Sequence, residues 1–407
     1  MQHLLLLFFS ALLSLKQCSG QTSESRSISS APAENMAKPA LEVAPLITGA
    51  QQIGRYMPLL KNKKIAMVVN QTSVMGKKHV VDSLLALGLN IKLIYAPEHG
   101  FRGEADAGAH ISNGIDSQTG LPIFSLYGKN KKPSAEQLKD IDVVIFDIQD
   151  VGARFYTYIS TMHYVMEACA ETNKPLLILD RPNPNGYYVD GPIRDEKLKS
   201  FVGMHPIPIV HGLTVGELAQ MINGEKWLDN QRTCNITVIP VQNYTHQTRY
   251  SLPVKPSPNL PNDLAIQLYP SICLFEGTSV SVGRGTETPF QVLGSPFYTQ
   301  KNFSFTPKPM PGASNPPHLN EVCYGYKLTT ADVQGKFTVK YILDFYRNAT
   351  YKDKFFTNFF TTLAGTPELK EQIIAGKSEE QIRASWQPAL QTYKKMRKQY
   401  LLYPDFE

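Results

Sequence analysis

Val143-Val-Ile-Phe-Asp-Ile-Gln-Asp-Val-Gly-Ala-Arg-Phe-Tyr-Thr-Tyr158 is the stretch on which the fold turns. Its first four residues are apolar without alternation, the pattern of a strand buried on both faces. The run then breaks into Asp147, Gln149, Asp150 and Arg154 around Gly152, and helical spacing takes over from 156 to 171. A buried strand, a polar turn and a helix make one half of a βαβ unit.

The same unit recurs on both sides. Apolar runs at 64–70, 91–96, 122–127, 176–180 and 236–241 read as strands. Segments 79–87, 134–139 and 214–222 read as helices, the last two opened by Ser134 with Gln137 and by Thr214 with Glu217 at capping-box spacing. Continuously apolar strands separated by helices predict an α/β fold with a Rossmann-like parallel sheet. The first strand runs into Asn70-Gln-Thr-Ser-Val, without a GxGxxG fingerprint, and no Walker lysine loop is present, so the layout is Rossmann-like in topology and not a dinucleotide fold by motif. From about Asn262 the alternation gives way to recurring Pro and Gly. Segments 337–347 and 388–400 read as helices, with Pro388 placed in a first turn. The expected division is a Rossmann-like domain at 44–263 and a smaller α+β C-terminal domain at 264–407.

Leu4 to Leu15 is an almost unbroken apolar run, too short to span a bilayer. With the polar chain that follows, it reads as a secretory signal over 1–20, then a disordered Ser/Ala/Pro/Glu-rich leader over 21–43. The expectation is an exported, periplasmic protein, with lipidation of Cys18 as an alternative to cleavage near Gly20. Of the five cysteines, four remain once Cys18 is removed; they form no CxxC pair, which speaks against structural zinc, and Cys169 fits a buried thiol. The formal charge of +6 is mild for 407 residues, and the run Lys394-Lys395-Arg397-Lys398 fits a solvated helix face, so no nucleic-acid partner is expected.

In open parallel sheets, ligands bind beyond the carboxyl ends of the strands. Three such ends finish in polar residues beside Pro or Gly: Pro97-Glu98-His99-Gly100-Phe101-Arg102-Gly103-Glu104, the segment after Asp147, and Asp180-Arg181-Pro182-Asn183-Pro184. Glu98, behind a buried strand and between Pro97 and Gly100, has the rigid, partly desolvated setting of a general acid. It could equally cap a turn or pair with Arg102. Glu104 is the second candidate carboxyl. Asp150 fits either a sugar contact or a helix cap. His99 and His211 stand alone, without HExxH, so no metal site is expected. The absence of GxSxG speaks against an α/β-hydrolase esterase. Lys255-Pro-Ser-Pro-Asn259-Leu-Pro261 is a rigid polar strip, and Arg284 between Gly283 and Gly285 reads as a carboxylate clamp or as a solvated turn residue.

These segments together resemble the NamZ-type exo-β-N-acetylmuramidases, glycoside hydrolase family 171. The matching stretches are Asn70-Gln-Thr, Pro97 to Gly103, Asp147 to Tyr158, Asp180 to Pro184, His211-Gly-Leu-Thr-Val-Gly-Glu-Leu-Ala219, Pro256 to Pro261, and Leu274 to Thr278 with Gly283 to Thr286. The resemblance implies an active site in a cleft between a Rossmann-like domain and a smaller C-terminal one. It implies hydrolysis of the β-1,4 bond after a terminal non-reducing N-acetylmuramic acid in peptidoglycan fragments, without a cofactor, and a catalytic glutamate at Glu98. The candidate catalytic set is Glu98, Glu104, Gln149 and Asp150. The candidate substrate-binding set is Asn70, His99, Arg102, Arg154, Tyr156, Tyr158, Asn183, His211, Asn259, Glu276 and Arg284. Arg102, Arg154 or Arg284 would grip the lactyl carboxylate. The second reacting group would be Glu104, Asp150 or the substrate's own acetamido oxygen, oriented by Gln149 or Tyr156. The competing expectation is a non-catalytic periplasmic muropeptide-binding protein.

Overall fold

Seven strands form the central sheet of the computed structural model, which describes residues 44–102 and 113–407. The expected signal segment, the leader, Cys18 and Glu104 lie outside the described residues. Apart from a two-residue hairpin at Val74–Met75 and Lys78–His79, the strands in chain order are β1 (Lys64–Val69), β2 (Asn90–Ala96), β3 (Gly114–Ile115), β4 (Pro122–Ser125), β5 (Val143–Asp147), β6 (Leu176–Leu179), β7 (Asp190–Ile193), β8 (Pro208–Val210), β9 (Ile236–Ile239), β10 (Val292–Ser295), β11 (Ser304–Phe305) and β12 (Cys323–Lys327). The helices are α1 (Ile53–Leu60), α2 (Val80–Ala86), α3 (Ala135–Leu138), α4 (Tyr158–Glu171), α5 (Val215–Gly224), α6 (Asp263–Ile272), α7 (Lys340–Arg347), α8 (Asn358–Ala364), α9 (Glu368–Ile374) and α10 (Glu379–Arg397).

The central sheet runs β9-β6-β5-β1-β2-β4-β3, and every neighbouring pair is parallel except β3 with β4. Without β3, this is the Rossmann winding, with the strand order reversing between β1 and β5. The reason lies in the apolar runs. On β1, Ala66 and Val68 join the core on one face, and Ile65, Met67 and Val69 join the core on the other. On β5, Val144 and Phe146 divide from Val143 and Ile145 in the same way. Helices α1 and α2 cover the second face; α4, α5 and much of the C-terminal part cover the first.

The capping boxes are present at Ser134 with Gln137 and at Thr214 with Glu217. Helix α4 begins two residues later than the spacing predicts, with Thr157 at its N-cap. Helix α10 corrects a reading: it starts after Ser378, which forms a capping box with Gln381, so Pro388 lies in its interior instead of its first turn. The S-x-x-Q box outweighs the single amide that proline cannot donate.

The C-terminal part adds a three-stranded antiparallel sheet, β10-β12-β11, to helices α6 to α10. Trp386, Leu390 and Tyr393 of α10 share one buried cluster with Ile159 of α4 and Leu218 of α5. Ala44–Glu407 is one compact unit, and the expected boundary at 263/264 falls at the start of α6. Cys169, Cys234, Cys273 and Cys323 are buried free thiols. Among the described residues, no helix is long and apolar enough to cross a membrane.

Candidate active site

The strand ends meet at one cleft. Ala96 of β2 pairs with Ser125 of β4, so Glu98 and Tyr127 stand at equivalent positions two residues beyond the paired ends. Both line a cleft of about 660 Å³, with Phe155, Thr157, Phe201, Tyr269, Glu276, Arg284 and the loop 312–317. That volume suits a small sugar ligand, since ligand sites run from about 300 to 1,000 Å³. Glu98, Thr157, Tyr269 and Arg284 also border an adjoining alcove of about 60 Å³, together with His99, Tyr156, Tyr158, Ser257 and Phe290.

Glu98 is half-buried and accepts a hydrogen bond at Oε2 from the Thr157 hydroxyl at 3.2 Å. Thr157 is the N-cap residue of α4 and makes no side-chain capping bond there; its hydroxyl joins the helix end to the carboxylate. His99 is buried with φ at +70°, in the left-handed region that costs a side chain about 1–2 kcal/mol. That strain lies beside the proposed acid, where strained backbone tends to collect.

Arg284 lines the same cleft from the segment after α6. Its Nε donates to Glu276 Oε1 at 2.6 Å, and its guanidinium lies 5.2 Å from the Phe290 ring centre. Its Nη1 is buried without a hydrogen-bond partner among the described residues. Burial works against the cation, but the Glu276 carboxylate raises the Arg284 pKa, so the charge is retained. The flanking glycines are required by packing. A Cβ at Gly283 would lie 2.4 Å from Val292, and one at Gly285 would lie 2.5 Å from Pro316 and 2.6 Å from the Lys308 carbonyl.

The Pro-rich strip frames the alcove. The Pro256 carbonyl accepts from Gln71 Nε2 at 3.1 Å, Tyr156 at 2.8 Å and Tyr158 at 3.1 Å. Burial raises both phenol pKa values, so both hydroxyls act as neutral donors. Asn259 donates from Nδ2 to the Gly312 carbonyl at 2.7 Å and so ties the strip to the loop that closes the cleft.

Several expected ligand residues lie elsewhere. Arg154 is fully buried, and its Nη atoms donate to the carbonyls of Pro192, Ile207, Leu363 and Ala364. It joins the β7–β8 hairpin to α8 and does not face the cleft. Asn183 is also internal, donating to the Leu213 carbonyl and accepting from the Asn185 amide. Arg102 forms a two-pronged bond to Asp116. Gln149 is buried, and its amide nitrogen is taken by the Asp150 and Pro182 carbonyls, which removes it as an acetamido-orienting donor. Asp150 is buried and accepts from the Gly152 amide, so it closes a turn and does not cap α4. Its Oδ2 is 3.8 Å from Nε2 of buried His211. Asn70 is internal, accepting from the Thr72 amide and hydroxyl. Polar composition marks a strand end, but it does not say which way each side chain turns. Tyr127, Thr157, Phe201 and Tyr269 also line the cleft and lie outside the expected site set. Tyr127 was within reach of the strand-end rule; the aromatic wall carries no local motif.

Among the described residues, no group of three or more His, Cys, Asp or Glu side chains could hold a metal ion. What the cleft presents is the Glu98 carboxyl, an Arg284–Glu276 pair and aromatic walls beyond the ends of a parallel sheet. The family models for the N- and C-terminal parts of exo-β-N-acetylmuramidase NamZ match residues 65–264 and 267–403, and the chain belongs to that family. It is 39% identical over 373 residues to the peptidoglycan β-N-acetylmuramidase NamZ of Bacillus subtilis (strain 168), covering 86% of this chain and 89% of that one. A crystal structure of a DUF1343 family protein from Bacteroides fragilis NCTC 9343 is similar at a TM-score of 0.83 and 52% identity, covering 89% of this chain and all of that one. A second DUF1343 structure from the same organism aligns at a TM-score of 0.76 and 29% identity, covering 88% of this chain and 99% of the other.

Proposed function

We propose that the chain releases N-acetylmuramic acid from the non-reducing end of peptidoglycan fragments, with Glu98 as the proton donor to the leaving oxygen and Arg284 as the grip on the lactyl carboxylate. The reading is carried by one observation: Glu98 and Arg284 border the same cleft and the same alcove. Glycosidases need a proton for the leaving group and a second group at the anomeric carbon. Gln149 and Asp150 are committed to the interior, and Glu276 of the cleft is paired with Arg284; for that second duty we propose Glu104 or the substrate's acetamido oxygen. Arg284 has Nη1 to offer, and a charge-assisted bond separates muramic acid from glucosamine by about 1.5–3 kcal/mol.

Assays on a muramic-acid-terminated disaccharide test the assignment. Glu98→Gln is expected to lower kcat by about 10²–10⁴, the usual share of general acid catalysis. Near-wild-type turnover of that variant would remove Glu98 from the role. Arg284→Lys keeps the charge and loses the fork. It is expected to reduce the preference for muramic over glucosamine termini by about tenfold, through kcat/KM. An unchanged preference excludes the clamp. Release of free sugar by the wild-type protein also separates hydrolysis from simple muropeptide binding.

Export is the second part of the proposal. It is supported by the apolar run from Leu4 to Leu15 and the polar segment after it. Cell fractionation and N-terminal sequencing test it, and a mass increase from acylation at Cys18 would mark a lipid anchor.

A further inference from the structure

We infer that Tyr127 is a positioning residue for Glu98: its neutral hydroxyl donates to the carboxyl and, with Thr157, holds it in the geometry for proton transfer. The inference rests on the reading of Glu98 as the proton donor.

Strand register is the first observation. The pairing of Ala96 with Ser125 puts Glu98 and Tyr127 side by side at adjacent strand ends, and Leu126 donates its amide to the Ala96 carbonyl at 2.8 Å. The two backbones therefore separate only after the last paired residues. The second observation is the cleft, which both side chains line. The third is what holds the Tyr127 ring. Its own amide donates to the Ser125 hydroxyl at 3.2 Å. Its ring lies 6.2 Å from Phe201, and Phe201 in turn stacks on Tyr164 of α4 at 6.3 Å and 18°. Tyr127 is thus a braced, half-buried donor at the rim of the site.

Charge fixes the direction of the bond. Burial first, and then the neighbouring Glu98 charge and hydrogen bond, push the Tyr127 phenol well up. A phenol that keeps its proton donates to a carboxylate and does not act as a nucleophile. Thr157 donates to the same carboxyl from the N-cap of α4. Two donors from two elements limit the rotation of the carboxyl, and proton transfer depends on hydrogen-bond reach before anything else.

Tyr127→Phe removes one oxygen and keeps the ring. A bond to a charged group is worth about tenfold in rate at the lower end of its range. The expected result is kcat down about tenfold on the muramic acid disaccharide, KM within about twofold, and a displaced pH–rate profile. Adding Tyr127→Phe to Glu98→Gln is expected to cost nothing further, because a residue that acts through Glu98 has nothing left to position. Fluorotyrosine at position 127 keeps the fold and strengthens the donor, so it should move the pH–rate profile opposite to Phe. Unchanged kcat and pH profile in Tyr127→Phe overturn the inference. So does a loss that adds fully to that of Glu98→Gln, or a rise in KM alone, which would make Tyr127 part of the sugar-binding wall. Should Tyr127→Phe not fold, an unmoved profile with fluorotyrosine overturns it too. Full activity of Glu98→Gln alone is a separate failure, that of the proton-donor reading.

Discussion

At the scale of single residues, the site is set by what cannot be enlarged. Gly285 has φ at +78°, and a Cβ there would press on Pro316 and on the Lys308 carbonyl. Pro316 lines the cleft, so this glycine sets the distance between the Arg284 turn and the loop that faces it. Gly88 has the same φ of +78°, and a Cβ there would meet nothing within 4 Å. The pair separates backbone strain from crowding. Gly88→Ala is expected to cost about 1–2 kcal/mol and leave kcat unchanged. Gly285→Ala is expected to cost about 1–3 kcal/mol more, from overpacking, and to lower kcat/KM as the loop shifts. Urea unfolding and steady-state assays on both variants check this, and equal effects would show that the crowding is relieved at no cost.

At the scale of elements, α4 carries both a cleft residue and a buried ionic chain. Thr157 at its N-cap holds Glu98. On the same helix, His163 bonds Glu167 at 3.0 Å and His205 at 3.1 Å, and Lys132 bonds Glu167 at 3.3 Å. Burial pushes the Glu167 carboxyl up, but His163 and Lys132 outweigh it and bring it down to about 2 from 4.5. A carboxyl lowered on folding stabilises the protein above its unfolded value, and that stability is lost as pH falls through the folded one. With Lys132 partly exposed and its charge screened, the expected contribution is about 1–2 kcal/mol at neutral pH, lost between about pH 5 and 2. Glu167→Gln should therefore be less stable than wild type at pH 7, with the gap closing in acid. Urea unfolding across pH measures it, and a gap independent of pH would refute the charge-based account. How much could be read beforehand also differs by element. The strands of the parallel sheet and the boxes at Ser134 and Thr214 were legible because burial on two faces and capping leave local patterns. The equivalent box at Ser378 competes with Pro388 as a start signal, and the box sets the helix start. Pro and Gly neighbours mark Glu98 and Arg284, both of which line the cleft. Arg154, Asn183 and Gln149 have the same strand-end setting but turn inward, because their partners are backbone carbonyls from elements distant in sequence, such as Leu363 for Arg154 and Leu213 for Asn183. No local pattern records such partners, and none marks the aromatic wall.

At the scale of the whole molecule, the C-terminal segment is built into the parallel-sheet half. The Tyr403 hydroxyl donates to Asp180 at 2.5 Å, and the Leu402 amide donates to Glu217 at 2.9 Å. Asp180 also accepts from Thr214 and from the Gly216 amide, so the end of β6, the start of α5 and the C-terminus share one network. Arg397 of α10 is the largest charge inside this join. It is fully buried, donates to the Gly212 carbonyl from Nε and Nη2, and meets Asp405 with bonds of 2.8 and 2.9 Å. Gly212 follows His211, so the pair fixes the backbone behind Asp150 from the far end of the chain. Asp405→Ala would leave the guanidinium buried without its counter-charge, a loss of about 3–5 kcal/mol. Because the core runs unbroken from α4 and α5 into α10, that loss should fall on the whole of residues 44–407. The expected result is one thermal transition in both proteins, with Tm lowered in Asp405→Ala and amide protection reduced in β6 and α5 as much as in α10. Arg397→Met with Asp405→Leu replaces the pair by apolar groups and should recover much of the loss. Two separate transitions in the single variant, with β6 and α5 still protected after α10 has exchanged, would mean that the halves are stable independently and that the join is peripheral.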